Sequence, residues 1–215
     1  LRQPSRSLVP PIYKKNNQEL WPEYDPIEAK MLLQKEGYCN GNILEIPLTY
    51  RSNVPADKLI ALFWQDDIKN ILNECIKIRL NGVESTTIYK NLNLGIYTAV
   101  ILDWTGPYSD PEAYLTPLLS CTDLIGENCK KGESVYSGSF WGSNEVQKLF
   151  LQSENLNGKE RLAKLIELET IASKSIPYIP IWISSQKAWS QNQVSKPTFN
   201  GAGIISMSDL KLIYE

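Results

Sequence analysis

The residues with the most to offer chemically fall in one short loop, Asp103-Trp104-Thr105-Gly106-Pro107-Tyr108-Ser109. An indole, a phenol, hydroxyls and a carboxylate so close together suit the noncovalent capture of an organic solute. Trp104 would be an apolar wall, Thr105 and the Gly106 backbone hydrogen-bond partners, and Tyr108 a further candidate. Asp110-Pro111 follows at once, an N-cap residue with proline at the first helical position, so a helix N-terminus opens beside the loop. The competing reading is a strand–turn–helix corner whose Trp and Tyr only cap the core. A second aromatic group, Tyr136-Ser137-Gly138-Ser139-Phe140-Trp141, either lines a ligand, with Trp141 as the candidate, or anchors its own loop.

Covalent chemistry is poorly provided for. The chain has no histidine, which removes the commonest general base, the Ser-His and Cys-His nucleophile pairs and most catalytic zinc sites. The acidic neighbours Asp66 and Asp67 point in different directions on a helix and form no catalytic pair. Four cysteines, Cys39, Cys75, Cys121 and Cys129, include no CxxC spacing, so neither a zinc ribbon nor a thioredoxin-type motif is indicated. Cys121 and Cys129 bracket a polar loop and are the disulfide candidates. Cys75 reads as a buried free thiol, and Cys39 is left open.

A chain of 215 residues buries roughly 70% of the surface its unfolded form exposes, enough for a core without staples. With 22 basic and 24 acidic residues dispersed along it, the chain lacks the cation clusters that nucleic acid requires. No apolar run approaches the ~20 residues of a membrane span. No signal peptide is recognisable in front of the first element.

The elements that must position the loop read as α/β. Tyr97 to Leu102, almost uninterruptedly apolar, predicts an interior strand buried on both faces, and ligands in open α/β sheets sit outside the carboxyl ends of such strands. Upstream, residues 1–22 read as an extended lead-in with no part in the core. Asp25-Pro26-Ile27-Glu28 starts a helix that turns Ala29, Leu32 and Leu33 inward and ends at Gly37. Ile43 to Arg51 alternates as a half-buried strand, placed near an edge by Pro47. Pro55 to Leu72 is an amphipathic helix with Phe63 and Trp64 in the core, and Cys75 to Leu80 a second strand. Together they form a right-handed βαβ unit. A short helix at Thr86 to Leu92 leads to the Tyr97 strand, and another follows from Glu112 to Leu119. Cys121 to Gly142 is expected to be a long loop, Asn144–Ser153 and Lys159–Ser173 helices, and Ile176–Ile183 an edge strand. Lys187–Gln193 extends a ribbon, and residues 204–215 hold a terminal strand at Leu210–Tyr214.

The order of these features resembles the C-terminal lobe of the extracytoplasmic solute-binding proteins of ABC transporters, in the oligopeptide, dipeptide and nickel class (family 5). The matching stretches are Leu8-Val9-Pro10-Pro11, Tyr24-Asp25-Pro26-Ile27-Glu28-Ala29-Lys30-Met31-Leu32-Leu33, the Leu44–Tyr50 strand and Asp66-Asp67-Ile68-Lys69 running into Ile76-Lys77-Ile78. They continue through Leu102-Asp103-Trp104, Asp110-Pro111-Glu112-Ala113-Tyr114-Leu115, the Arg161 helix and Ile176-Pro177-Tyr178-Ile179-Pro180-Ile181. The resemblance implies a type II periplasmic-binding-protein-like lobe, a mixed, mostly parallel sheet flanked by helices, with residues 1–215 a single α/β lobe that closes on its solute against an N-terminal lobe outside this chain. It implies a small solute, peptide first, and an ABC permease in the membrane as the partner. Location would be periplasmic or cell-surface, with any signal or lipid anchor in the preceding segment. No cofactor, catalytic residue, metal or nucleic acid is implied. In peptide-binding members the Trp packs on the ligand, which fits Trp104, and an Asp three residues later meets the peptide's amine. Pro107 stands at that place, so Asp103 or Asp110 would have to substitute, or the solute is not a peptide (a nickel chelate or a sugar). A hydrolase or transferase, and a protein-interaction module without a small-molecule pocket, are the readings from other classes.

Overall fold

The computed structural model describes residues 2–14, 19–200 and 203–213. Its organising unit is β2 (Leu44–Arg51), α2 (Pro55–Ile71) and β3 (Ile76–Val83), preceded by β1 (Arg2–Pro4) and α1 (Pro26–Lys35). β2 and β3 are parallel over their full length, from Leu44 opposite Ile76 to Arg51 opposite Val83. Alternation puts Leu48, Ile78 and Leu80 on the face that α2 covers with Ala61, Ile60, Trp64 and Ile68. After α3 (Ser85–Asn91), β4 (Ala99–Val100) joins the other side of β2, giving a parallel sheet in the order β3-β2-β4.

Two strand assignments exchange places. The interior strand is β2, not the Tyr97–Leu102 run, of which only Ala99 and Val100 are paired and the Ile101 amide adds a bond to the Thr49 carbonyl (2.9 Å). An apolar run of that length satisfies an edge as well as an interior position, and only the partners decide. Pro47 is tolerated in β2 because β4 pairing begins one residue later, at Leu48, so that stretch has one neighbour only.

Helix starts follow their caps. The Asp25 carboxylate accepts from the amides of Ile27 (3.0 Å) and Glu28 (2.9 Å), and Gly37 takes the left-handed conformation that ends α1. Ala29 and Leu33 pack on a small cluster with Tyr38, Leu72 and a Cys39–Cys75 disulfide. Cys75 is therefore bonded, not free. Leu32 and Phe63 (63% exposed) face out rather than in. Each helix has a sheet or a neighbour on one side only, and an apolar residue off that stripe stays exposed.

A second core lies among α4 (Glu112–Leu119), α6 (Asn144–Glu154) and α7 (Gly158–Ser175). Leu115, Leu119, Val146, Leu149, Phe150, Leu165, Leu168 and Ala172 fill it. The lead-in also enters it, through Val9, and Trp21 is buried beside it with Nε1 donating to the Tyr178 carbonyl (2.6 Å). The cause is Glu169. Its Oε1 accepts from Ser7 Oγ (2.6 Å) and the amides of Leu8 (2.8 Å) and Val9 (3.3 Å), while Oε2 pairs with Lys14 Nζ (2.6 Å). A polar, aperiodic segment is thus drawn inside by one buried carboxylate.

The Cys121–Gly142 stretch is not a loop. β5 (Asp123–Ile125) and β6 (Asn128–Lys131) form an antiparallel hairpin, followed by α5 (Glu133–Tyr136) and closed by a Cys121–Cys129 disulfide. Gly132 must be glycine: φ is +145° and a Cβ would stand 2.6 Å from Cys121 Cα. At the C-terminal end β7 (Trp182–Ser184) pairs antiparallel with β1. Prolines 177 and 180 confine the expected strand to its last residues. Neither the 187–193 ribbon nor the 204–215 strand forms among the described residues; isolated bridges of Val194 with Leu212 and of Phe199 with Ile205 take their place, and Tyr214 lies outside the described residues.

Candidate functional site: the rim at the carboxyl ends of the sheet

Parallel pairing sends the carboxyl ends of β2, β3 and β4 to one side, and three turns leave from there. Arg51 is the last residue of β2, Asp57 sits in the first turn of α2, Tyr89 on α3, and Asp103 just beyond β4. Arg51 is buried and forms a bidentate pair with buried Asp57 (Nε to Oδ2 2.6 Å, Nη2 to Oδ1 3.0 Å). Its remaining nitrogen, Nη1, donates to the Tyr89 hydroxyl (3.1 Å) and to Asp103 Oδ1, which also accepts from Tyr89 (2.8 Å). Burial alone would lower the Arg51 pKa, but hydrogen bonding to Asp57 and the charge of Asp103 overcome it and raise the value, so the guanidinium stays charged. Burial, reinforced by the bond to Asp103, raises the Tyr89 pKa and keeps the hydroxyl a donor. One guanidinium against two carboxylates leaves one net negative charge, carried by the exposed member, Asp103.

The loop that follows holds Trp104 half open. Its Nε1 donates to the Ala113 carbonyl of α4 (2.9 Å) while 45% of the residue remains exposed. The indole is fixed at one end and its apolar surface left unburied, the disposition of an aromatic wall. Thr105 and Tyr108 are exposed on the same loop. Burial, then the charges of Glu112 and Asp110, push the Tyr108 phenol up. Asp110 caps α4, accepting from the Glu112 amide (2.8 Å), and pairs with Arg161 Nη1 (2.7 Å), which also reaches Glu112.

Two expected members are elsewhere. Gly106 is buried against Tyr114, whose ring would lie 2.7 Å from any Cβ placed there. Trp141, 8% exposed, belongs to the α4–α6–α7 core. The structure thus gathers Asp103, Trp104, Thr105 and Tyr108, and adds Arg51, Asp57 and Tyr89, which the sequence reading missed. A charged residue closing an otherwise apolar-alternating strand at its carboxyl end was the available signal for Arg51. A shallow apolar hollow lined by Pro26, Ile27, Lys30, Met31 and Gln34 of α1 and Ile71 of α2 shares no residue with the rim. Among the described residues no group of acidic or thiol side chains is placed to hold a metal ion.

A parallel-sheet lobe with a half-exposed indole at its open end has the architecture of the type II periplasmic-binding proteins. The chain belongs to the bacterial extracellular solute-binding proteins of family 5, whose middle-region family model matches residues 1–125. It is 28% identical to heme-binding protein A of Haemophilus influenzae over 180 residues, 81% of this chain and 30% of that protein. It is also 28% identical over 163 residues to the dipeptide-binding protein of Pseudomonas aeruginosa, 74% of this chain and 28% of that one. A solved dipeptide-binding protein from a Pseudoalteromonas species, in complex with Met-Leu, superposes with a TM-score of 0.75 at 21% identity, covering 99% of this chain and 40% of that one. The chain thus spans about 30% of the length of the curated relatives it matches.

Proposed function

We propose that this chain is the C-terminal lobe of the solute receptor of an ABC importer, and that it binds a peptide or peptide-like solute between its rim and a second lobe. The observation that carries this is Trp104, pinned through Nε1 yet half exposed at the open carboxyl end of a parallel sheet. The chain's path agrees. β1 and β7 pair side by side, and past β7 no described residue is buried. Residues 185–200 and 203–213 thus add no buried side chain to this lobe's cores. The permease partner and a periplasmic or cell-surface location, with or without a lipid anchor, follow from the same reading. Peptide is preferred over a nickel chelate or a sugar because a dipeptide-binding relative and a Met-Leu complex share the fold.

The test is calorimetric titration of the full-length protein with short peptides, sugars and nickel chelates. Saturable binding of peptides, weakened at least about tenfold by Trp104→Ala, is expected, since truncating a buried aromatic anchor commonly costs 2 kcal/mol or more. Peptide binding indifferent to Trp104→Ala, or no peptide binding beside saturable binding of a sugar or chelate, would overturn the proposal.

A further inference from the structure

Asn-Gly pairs occur four times in the chain, at Asn40-Gly41, Asn81-Gly82, Asn157-Gly158 and Asn200-Gly201. Such a pair carries its own chemistry. With no side chain on the glycine to obstruct it, the glycine nitrogen can close on the asparagine amide carbon. The fold holds three of the four pairs. Asn81 and Gly82 lie in β3 opposite Thr49 and Tyr50 of β2, and the Tyr50 hydroxyl packs on Gly82, 2.8 Å from where a Cβ would stand. Asn157 caps α7, its carbonyl accepting from the Arg161 amide (3.5 Å) in the first turn of the helix. Asn200 is tied twice to Ile204: its backbone amide donates to the Ile204 carbonyl and its side-chain oxygen accepts from the Ile204 amide, each at 2.9 Å. Asn40 and Gly41 differ. They lie exposed in the turn between α1 and β2, neither makes a hydrogen bond among the described residues, and a Cβ on Gly41 would meet nothing within 4 Å. The bonds of that turn pass them by, running from the Cys39 amide to the Asn42 carbonyl (2.9 Å) and from Asn42 Nδ2 to the Gly37 carbonyl (3.3 Å).

We propose that Asn40 is a site of spontaneous covalent modification, deamidating through a cyclic imide formed with Gly41. The Gly41 nitrogen bonds to Asn40 Cγ, the Cγ–Nδ2 bond breaks, and the amide group leaves as ammonia with the proton that Gly41 gives up. Water, the sole co-reactant, then opens the imide. Hydrolysis at the side-chain carbonyl leaves aspartate. Hydrolysis at the main-chain carbonyl leaves isoaspartate, with the backbone rerouted through the side chain. Ring closure has to turn the peptide plane between the two residues. At Asn40 that plane carries no hydrogen bond and has open space around it, so nothing need break first. In the other pairs a paired strand, a helix entry or the Ile204 bonds must open beforehand. Either product places a new negative charge beside Cys39, whose disulfide with Cys75 belongs to the cluster that seats α1.

The experiment ages the full-length protein, disulfides intact, in mildly alkaline buffer made with heavy-oxygen water, and maps its peptides by mass spectrometry over time. A parallel sample is unfolded in urea with its disulfides reduced. No variant has to fold. In the folded protein, conversion at Asn40 should run about tenfold or more ahead of Asn81 and Asn200, because a site that reacts only after local opening is slowed by the whole cost of that opening. Asn157 should also trail Asn40. Both aspartate and isoaspartate should appear at position 40, each carrying the heavy oxygen, and in urea the four rates should converge. An unconverted Asn40, another pair reacting as fast or faster in the folded protein, aspartate formed without isoaspartate, or the same spread of rates in urea would each overturn the proposal.

Discussion

Two buried cations in this molecule are handled in opposite ways. Lys14 and Glu169 are both sealed, at 3% and 0% side-chain exposure, and every further bond of Glu169 goes to the lead-in. Arg51 is equally sealed at 7%, but of its two carboxylate partners one, Asp57, is buried (3%) and the other, Asp103, lies in the open (72%). The first cluster closes on itself and can only stabilise. The second is closed below and open above, so the same physics that fixes it also presents a charge to whatever meets the rim. Exposure of one member separates a closed clasp from a cluster that presents a charge at the surface.

That contrast can be broken most forcefully at the clasp. Glu169→Ala strands a buried ammonium and releases the amides of Leu8 and Val9, so a loss of about 3–5 kcal/mol is expected in denaturant unfolding. Solute affinity of the fraction that remains folded should be unchanged. Next come the disulfides. By loop length, opening Cys39–Cys75 (separation 36) should cost about 4 kcal/mol and opening Cys121–Cys129 (separation 8) about 2.5 kcal/mol. Unfolding of Cys39→Ser and Cys121→Ser variants would read the difference, and an equal loss would contradict the loop-closure account. Asp103→Asn should change stability by less than about 1 kcal/mol, because the asparagine oxygen still accepts from Arg51 and Tyr89 at an exposed position. A large loss there would make the rim cluster a second clasp.

The smallest expected effect separates two tyrosines. Burial raises the pKa of both Tyr178, packed against the second core, and Tyr89 at the rim above the ordinary value near 10. A raised folded value means the folded state holds the proton when the unfolded chain has released it. Stability is then full below pH 10 and declines as pH rises beyond it. Denaturation midpoints measured from pH 8 to 11 should show that decline. Tyr178→Phe should flatten it more than Tyr89→Phe, since burial is the leading cause of the shift at both and Tyr178 lies deeper, its hydroxyl donating to the Leu118 carbonyl (3.2 Å).

What was legible beforehand was local. The Asp25-Pro26 start of α1, the alternation of β2 and β3, the helical spacing of α2 and the Asp110-Pro111 entry to α4 are written in adjacent residues, and each element begins within a residue of its expected place, β3 running three residues further than expected, to Val83. What escaped depends on partners far along the chain. The pairing of Arg51 with Asp103, the burial of the lead-in by Glu169 and the Cys39–Cys75 bond join segments 52, about 160 and 36 residues apart, and no local period announces such pairs. Trp141 and Phe63 show the same limit from the other side. An aromatic residue advertises a need for cover, but whether core, solute or solvent meets it is settled by what folds against it. On the rim, Trp104 and Asp103 were visible by type, while Arg51, which pairs with Asp103, was not.

The most direct measurement is a crystal structure of the full-length protein grown with a short free-amine peptide. The account predicts the peptide between two lobes, with side-chain atoms within about 4 Å of the Trp104 indole. A solute seated elsewhere, with Trp104 still facing water and the carboxyl ends of β2 and β4 uncovered, would contradict it.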